Sequence, residues 1–323
     1  MKTMKAVVFD GTLSYVEDHP RPAARPGWAL VAVKLAGICG TDLEIAKGYK
    51  SFKGVPGHEF VGVVEDCEVE SLLGKRVVGE INTACGRCSW CAGGLGRHCT
   101  SRKTLGIGGL DGCFAEYCSL PVENLHVIGA DIPDERALLT EPFAAACEIL
   151  EQVSLDGSER IIVLGDGRLG ILCAWALQAV AEDVTIIGNH REKLDIARWR
   201  TVKTAIRAGE IRPGADVVVE ATGSGGGIAQ AMELCRPRGT IVLKSTVAIQ
   251  GNVNLAPVVI NELTVVGSRC GRFEHALDMM RKFPDMPLEM LISGRYPLDR
   301  AAGAFAGAAN GRTLKVLLEV NPA

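Results

Sequence analysis

Residues 161–170 read Ile161-Ile162-Val163-Leu164-Gly165-Asp166-Gly167-Arg168-Leu169-Gly170, and this stretch decides the fold of the second half of the 323-residue chain. Four apolar residues typical of a buried strand run into a Gly-x-Gly-x-x-Gly turn, and the apolar stretch 169–181 after it is typical of a buried helix. In this context backbone N–H groups and the helix dipole attract a dinucleotide's pyrophosphate. We therefore predict a nucleotide site at Gly165, Gly167, Arg168, Leu169 and Gly170. A purely structural glycine turn is the alternative.

On either side of this motif, the spacing of apolar residues divides the chain into two domains. From residue 141 onward, β-branched runs (160–164, 183–187, 216–220, 239–243 and 263–267) alternate with Ala- and Leu-rich helical stretches. This alternation predicts βαβ units around a parallel sheet. Before residue 141, short Val-rich runs are separated by Gly and Pro, which predicts a mostly antiparallel or barrel-like β domain. The predicted fold class is α/β, and periodicity does not assign the residues after 268 to either domain.

Composition and charge exclude several classes of function. Thirty-five Lys and Arg against 38 Asp and Glu give a net charge of -3, so there is no basic field to attract nucleic acid. The apolar run 169–181 is shorter than the ~18 residues needed to span a membrane. Asp10 interrupts the N-terminal sequence before an apolar signal core develops, so we expect a cytoplasmic protein.

Four of the 12 cysteines lie within fifteen residues, in the spacing Cys85-x2-Cys88-x2-Cys91-x7-Cys99. Four thiolates in one loop form a closed tetrahedral zinc site, which leaves no position for a substrate. The prediction is therefore a structural Zn²⁺ that holds a glycine-rich lobe at about residues 80–100. An iron–sulfur cluster or free thiols are the alternatives.

A second candidate metal site lies in two glycine-containing stretches, Gly37-Ile38-Cys39-Gly40-Thr41-Asp42 and Gly57-His58-Glu59-Phe60-Val61-Gly62. Cys39, His58, Glu59 and the later Glu141 form a mixed sulphur, nitrogen and oxygen set, and three such ligands with water are typical of catalytic zinc. On residue types alone, a buried structural cysteine and a loop histidine explain the same residues.

In this order, with Thr-Glu-Pro before the glycine-rich turn, the motifs resemble the zinc-dependent medium-chain dehydrogenase/reductase superfamily. Within it they resemble the sorbitol, threonine and glucose dehydrogenase branch. The resemblance implies a GroES-like catalytic domain (1–141), a Rossmann cofactor domain (142–270) and a C-terminal segment (271–323) that returns to the catalytic domain. It also implies a homodimer or homotetramer that acts on a small-molecule alcohol, polyol or sugar.

The resemblance also implies roles for single residues. Cys39 and His58 bind a catalytic Zn²⁺, and Glu59 and Glu141 bind it directly or through water. Thr41 and Glu44 relay a proton, and Thr222 lies beside the nicotinamide. Two alternatives stay open: Glu141 as a carboxylate at a helix N-terminus, and Glu44 as a solvated loop acid.

The predicted nucleotide preference rests on a residue at which this sequence differs from the family pattern. The residue that ends the second strand of the cofactor domain is acidic in most NAD enzymes, but here it is Gly188, followed by Asn189, His190 and Arg191. Without a carboxylate there, we predict a preference for NADP(H), with donors to the 2′-phosphate from these three residues, and NAD as the alternative. Arg191 as the solvated start of the next helix is the competing interpretation.

The predicted activity is zinc-dependent, NAD(P)-linked interconversion of a secondary alcohol, polyol or sugar and its carbonyl product. Two other functions are weighed against it. One is a catalytically silent dehydrogenase fold that serves as a binding protein, and the other is a zinc-free reductase of the same superfamily. The complete ligand set argues against both.

Overall fold

A computed structural model describes residues 2–246 and 253–321. The chain divides into two compact units, one of Met1–Glu141 with Ile292–Ala323 and one of Pro142–Leu291. In the described residues, no helix combines the length and the apolar character that crossing a membrane requires.

The first unit is rich in strands. Up to its end at Glu141, its elements in chain order are β1 (Thr3–Phe9), β2 (Leu13–Pro20), β3 (Trp28–Ile38), α1 (Gly40–Ala46), β4 (Glu59–Asp66), β5 (Arg76–Gly79), β6 (Asn82–Thr83), α2 (Ser89–Ala92), β7 (Lys103–Leu105), β8 (Gly109–Leu110), β9 (Tyr117–Pro121), β10 (Leu125–Val127), α3 (Asp134–Leu138) and the start of α4 (Thr140–Gln152).

The second unit alternates strand and helix. After α4 its elements are β11 (Arg160–Leu164), α5 (Arg168–Gln178), β12 (Asp183–Ile187), α6 (Arg191–Ala197), β13 (Lys203–Ala205), β14 (Ala215–Glu220), α7 (Gly227–Leu234), β15 (Cys235–Leu243), α8 (Ala256–Ile260), β16 (Thr264–Gly267) and α9 (Phe273–Lys282). The chain then returns to the first unit with β17 (Ile292–Pro297), α10 (Ala301–Ala308) and β18 (Lys315–Glu319).

The central sheet of the first unit is built around β3. Its strand order is β10-β5-β4-β3-β18-β17, and β9 also pairs with β3. Strands β4, β9 and β18 are all antiparallel to β3. Because β4 and β18 flank β3, residues near position 59 and residues near the end of the chain meet at the end of β3.

The sheet of the second unit is parallel throughout, in the order β13-β12-β11-β14-β15-β16. Side chains 161–164 of β11 are buried, as both faces of a covered parallel sheet require. Helix α5 is also buried along most of its length, and its Trp175 indole donates to the Ala197 carbonyl oxygen at 2.8 Å. The strand order reverses between β11 and β14, and in such sheets ligands bind at the carboxyl ends of the strands beside that point. The predicted α/β class with a β-rich and a parallel-sheet domain is confirmed.

The return to the first unit begins later than the sequence analysis placed it, at Ile292 instead of residue 271. Helix α9 packs within the second unit. Arg272 and His275 pair with Glu151 of α4, and the Phe283 ring meets the Trp199 ring edge-to-face with centroids 5.9 Å apart. These long-range partners keep residues 271–291 in the parallel-sheet unit.

Substitution of Gly170 tests how closely helix α5 packs against the glycine-rich turn. A Cβ at Gly170 would lie 2.9 Å from the Gly165 carbonyl carbon and closer still to its oxygen, whereas a Cβ at Gly167 meets nothing within 4 Å. We expect Gly170→Ala to lower the free energy of unfolding by about 1–3 kcal/mol, because helix and turn must move apart. Gly167→Ala, with φ of -72°, should leave stability unchanged. Urea unfolding followed by circular dichroism checks both, and equal stability of the two variants would contradict the packing argument.

Candidate functional site

The catalytic-site candidates of the first unit are assembled by the pairing of β3 with β4. Gly37 on β3 faces Glu59 on β4, so the end of one strand meets the start of the other. Cys39 follows β3, and His58 precedes β4 by one residue. As a result the Cys39 thiol, a His58 ring nitrogen and a Glu59 carboxylate oxygen all lie within 4.8 Å of one another.

The buried carboxylate of Asp42 joins the two loops that carry these ligands. Its Oδ2 accepts a hydrogen bond from the Cys39 N–H at 2.7 Å, and its Oδ1 accepts one from the Gly57 N–H at 3.2 Å. Oδ1 also lies 3.4 Å from His58 Nδ1. A carboxylate at Nδ1 orients the ring so that Nε2 can serve as a metal ligand. Asp42 therefore orients the His58 ring and holds the two loops together.

Lys315 completes this cluster, and the sequence analysis missed it. Strand β18 pairs Val316 with Ile38, which brings Lys315 to the end of β3. The Lys315 ammonium forms an ion pair with Glu59 Oε2 and donates to the Ile38 carbonyl oxygen at 3.2 Å. Both charged side chains are fully buried. The available signal was a lysine that precedes the apolar run 316–318 in the closing strand 314–320.

The electrostatics of the cluster favour a bound cation. Burial opposes the charged form of His58, but the Asp42 carboxylate and the Cys39 thiol outweigh it and hold the pKa of His58 well above its usual value. The environment of this ring is thus electron-rich. A thiolate, an imidazole and a carboxylate are also the donor types that zinc takes in catalytic sites, so these residues fit a zinc ion.

The other predicted catalytic residues lie at different distances from this cluster. Thr41 is half-buried, and its hydroxyl is 4.0 Å from the Cys39 sulphur. Glu44 is exposed on α1 and forms an ion pair with Lys47 at 2.8 Å. Glu141 lies in the first turn of α4 and is outside the group whose ligand atoms lie within 4.8 Å of one another. Its roles as a zinc ligand and as a helix N-terminal carboxylate both stay predictions.

The four clustered cysteines converge in one loop. Ligand atoms of Cys85, Cys88, Cys91 and Cys99 lie within 4.8 Å of one another, with sulphur separations of 3.4 Å (Cys88–Cys91) and 3.9 Å (Cys88–Cys99). Sulphurs bound at about 2.3 Å to one tetrahedral ion lie about 3.8 Å apart. Backbone and thiol hydrogen bonds from Cys91 lower the pKa of Cys88 to about 6, which favours a thiolate. The group therefore fits a structural zinc ion.

Five of the predicted nucleotide residues line a cavity of about 390 Å³ in the second unit. It is lined by Gly165 and Gly167 of the turn, by Asn189 and His190 after β12, and by Thr222 after β14. Arg191 is exposed at the start of α6 and is not a lining residue. The predicted residues Arg168, Leu169 and Gly170 lie in the first turn of α5 and are not lining residues either. Three lining residues that the sequence analysis did not propose carry charge, namely Asp166, Lys193 and Arg207.

Comparison with known proteins identifies the family. The model for the alcohol dehydrogenase GroES-like domain matches residues 25–130, and that for the glucose dehydrogenase C-terminus matches residues 135–320. The chain is 32% identical to L-threonine 3-dehydrogenase of Streptomyces avermitilis, over 94% of this chain and 95% of that protein. It belongs to the zinc-type medium-chain alcohol dehydrogenase-like superfamily.

Two further relatives of this superfamily are similar over nearly the whole chain. Sorbitol dehydrogenase of Halalkalibacterium halodurans is 29% identical over 94% of both chains. The crystal structure of the Escherichia coli CFT073 short chain alcohol dehydrogenase rspB with NADH has a TM-score of 0.89 and 27% identity. It covers 98% of this chain and 99% of that one. The protein is accordingly an oxidoreductase of the NAD(P)-dependent alcohol and polyol dehydrogenase family.

The cysteine loop generates a prediction about metal content. Protein purified without added metal should contain close to two zinc equivalents, one for each ligand group. Cys85→Ser should lose one equivalent and destabilise the lobe, because metal binding contributes folding free energy there. Cys67→Ser is the matched control, since Cys67 lies outside both groups. Metal analysis together with limited proteolysis checks this, and unchanged zinc content in Cys85→Ser would remove the structural site.

The buried ion pair generates a prediction about stability. Lys315→Met leaves the buried Glu59 carboxylate without its ammonium partner, which should lower the free energy of unfolding by about 3–5 kcal/mol. The double variant Glu59→Gln with Lys315→Met removes both charges and should recover most of that loss. Chemical denaturation of the two variants and the wild type decides it. A double variant no more stable than Lys315→Met would show that lost packing, not the unpaired charge, causes the effect.

Proposed function

We propose that the protein oxidises a secondary alcohol, polyol or sugar, or reduces the matching carbonyl compound, with zinc and a nicotinamide nucleotide. One observation carries the proposal: β3 and β4 bring Cys39, His58 and Glu59 within 4.8 Å, with the Thr41 hydroxyl beside the Cys39 sulphur. When bound by these residues, zinc supplies Lewis acidity toward the substrate oxygen.

The residues of the chain hold this site and move the proton. Asp42 fixes the His58 ring, and Lys315 binds one oxygen of Glu59. Thr41 Oγ1, 4.0 Å from the Cys39 sulphur, is proposed to accept the proton of the substrate hydroxyl as its own proton moves outward. Glu44, on the exposed side of α1, is proposed to pass that proton to solvent. Glu141 is proposed as a further zinc ligand, directly or through water.

The substrate class follows from the relatives and is a proposal for this chain. L-threonine and sorbitol, named for the two similar dehydrogenases, both carry a secondary hydroxyl beside other polar groups. We infer a small polyhydroxylated or amino-alcohol substrate. Cytoplasmic location and assembly as a homodimer or homotetramer stay predictions from the sequence.

The nucleotide is NAD(H) or NADP(H). The sequence favoured NADP(H) because position 188 is glycine and no carboxylate follows it. In the folded second unit the Asp166 carboxylate accepts hydrogen bonds from the backbone just after Gly188, so a carboxylate from outside the strand lies at this position, and the prediction from position 188 did not take it into account. Asn189 and His190 line the cavity as predicted donors, while Arg191 lies outside its lining.

Activity assays of two variants test the proposed chemistry. We expect Thr41→Val to lower kcat/KM by about 10²- to 10⁴-fold, because the proton-carrying hydroxyl is lost while the shape is kept. His58→Ala should lose both turnover and one zinc equivalent. Thr201→Val, which removes an exposed hydroxyl of the second unit, is the matched control and should turn over normally.

The assay screens polyols, sugars, L-threonine and secondary alcohols with both nucleotides. Wild-type turnover by His58→Ala after loss of zinc would overturn the zinc chemistry. Normal turnover by Thr41→Val would overturn the relay. The absence of dehydrogenase activity, together with failure to bind either nucleotide, would favour the catalytically silent binding protein.

A further inference from the structure

A carboxylate from outside β12 lies at the end of that strand. Gly188 occupies the position from which an acidic side chain of a dinucleotide fold accepts a hydrogen bond from the ribose 2′-hydroxyl. A Cβ built on Gly188 would lie 2.5 Å from the Asp166 carboxyl carbon and closer still to the Asp166 Cβ. Asp166 of the glycine-rich turn therefore fills the space that a side chain at position 188 would occupy.

Hydrogen bonds hold Asp166 in this position. Its Oδ2 accepts from the Asn189 N–H at 2.6 Å and from the His190 N–H at 2.7 Å. His190 Nδ1 lies 3.0 Å from Oδ2 and 3.2 Å from Oδ1. The carboxylate is largely buried, and it uses two backbone donors that would otherwise be available to an anion. A bound 2′-phosphate would therefore not accept hydrogen bonds from these two N–H groups.

The second oxygen of Asp166 keeps acceptor capacity. A carboxylate offers about four lone-pair sites, and the two backbone N–H groups both go to Oδ2. His190 Nδ1, 3.2 Å from Oδ1, uses at most one of the two lone pairs of that oxygen. Asp166 lines the cavity together with Gly165, Gly167 and Gly188, next to the turn that attracts the pyrophosphate. Oδ1 is thus able to accept a hydrogen bond from a ribose hydroxyl, and its charge repels a 2′-phosphate.

The charges of the cavity do not all act in the same direction. Lys193 is largely buried and Arg207 is exposed, and both line the cavity. They attract the phosphates that both nucleotides share as well as a 2′-phosphate. The Asp166 carboxylate, in contrast, distinguishes the two nucleotides, because a hydroxyl donates to it and a phosphate cannot.

From this geometry we infer that Asp166 determines nucleotide specificity and makes the protein prefer NAD(H) over NADP(H). The inference rests on the proposed function, since it concerns the nucleotide of that same reaction. It reverses the preference predicted from position 188.

Direct binding tests the inference without an alcohol substrate. Dissociation constants of NADH and NADPH are measured by titration calorimetry on wild-type protein and on Asp166→Asn. The wild type should bind NADH more tightly. Asp166→Asn keeps an oxygen to accept from the two backbone N–H groups but removes the charge. It should raise the NADPH-to-NADH affinity ratio about 10- to 150-fold, the equivalent of one charge-assisted hydrogen bond.

Three further variants distinguish a specific effect of Asp166 from a general effect of charge or of folding. Asp183→Asn removes one carboxylate from the opposite end of β12 and should leave the ratio unchanged. The double variant Asp166→Gly with Gly188→Asp moves the carboxylate onto the strand and removes the Asp166 atoms that a Cβ at position 188 would meet, and it should restore the preference for NADH. Gly188→Asp alone should destabilise the unit, because its side chain overlaps Asp166.

The outcomes distinguish this inference from the proposed function. Tighter NADPH binding by the wild type, or equal ratios in Asp166→Asn and Asp183→Asn, would overturn the inference and leave the dehydrogenase assignment intact. Failure of the wild type to bind either nucleotide would overturn the proposed function and this inference with it.

Discussion

The catalytic-site candidates of the first unit depend on one buried carboxylate. Asp42 accepts hydrogen bonds from the backbones of Cys39 and Gly57, and it lies beside His58, so a single side chain ties the end of β3 to the start of β4. A charge without solvent is costly unless it is fully satisfied, which is why these loops hold one arrangement. The positions of the zinc-type ligands follow from that constraint.

The buried charges of this site are balanced only when the C-terminal strand β18 is in place. Glu59 would be a second buried anion next to Asp42, and Lys315 supplies its counter-charge from β18. The first unit therefore cannot complete its own site until residues 292–321 have returned and paired with β3. Strand β18 therefore has two roles. It extends the sheet beside β3, and its Lys315 supplies the cation that balances the Glu59 carboxylate.

In the second unit, a side chain from another part of the chain occupies the space beside Gly188. A glycine at 188 leaves room at the end of β12, and Asp166, over twenty residues earlier, fills it from the neighbouring turn. The carboxylate at this position is therefore kept, although the strand does not encode it. A specificity rule that reads only position 188 does not include this carboxylate, and for this reason the nucleotide preference that we infer differs from the one predicted from the sequence.

The sequence by itself determined both the fold class and the ligand motifs. The periods of β-branched and Ala-rich runs are local properties, as are the Cys85–Cys99 spacing and the turn after β11, so they are visible without a structure. Lys315 and Asp166 act on partners far away in the chain, and α9 stays with the second unit because Phe283 meets Trp199. Only the tertiary structure decided these points, because they depend on which strand ends and loops the fold brings together.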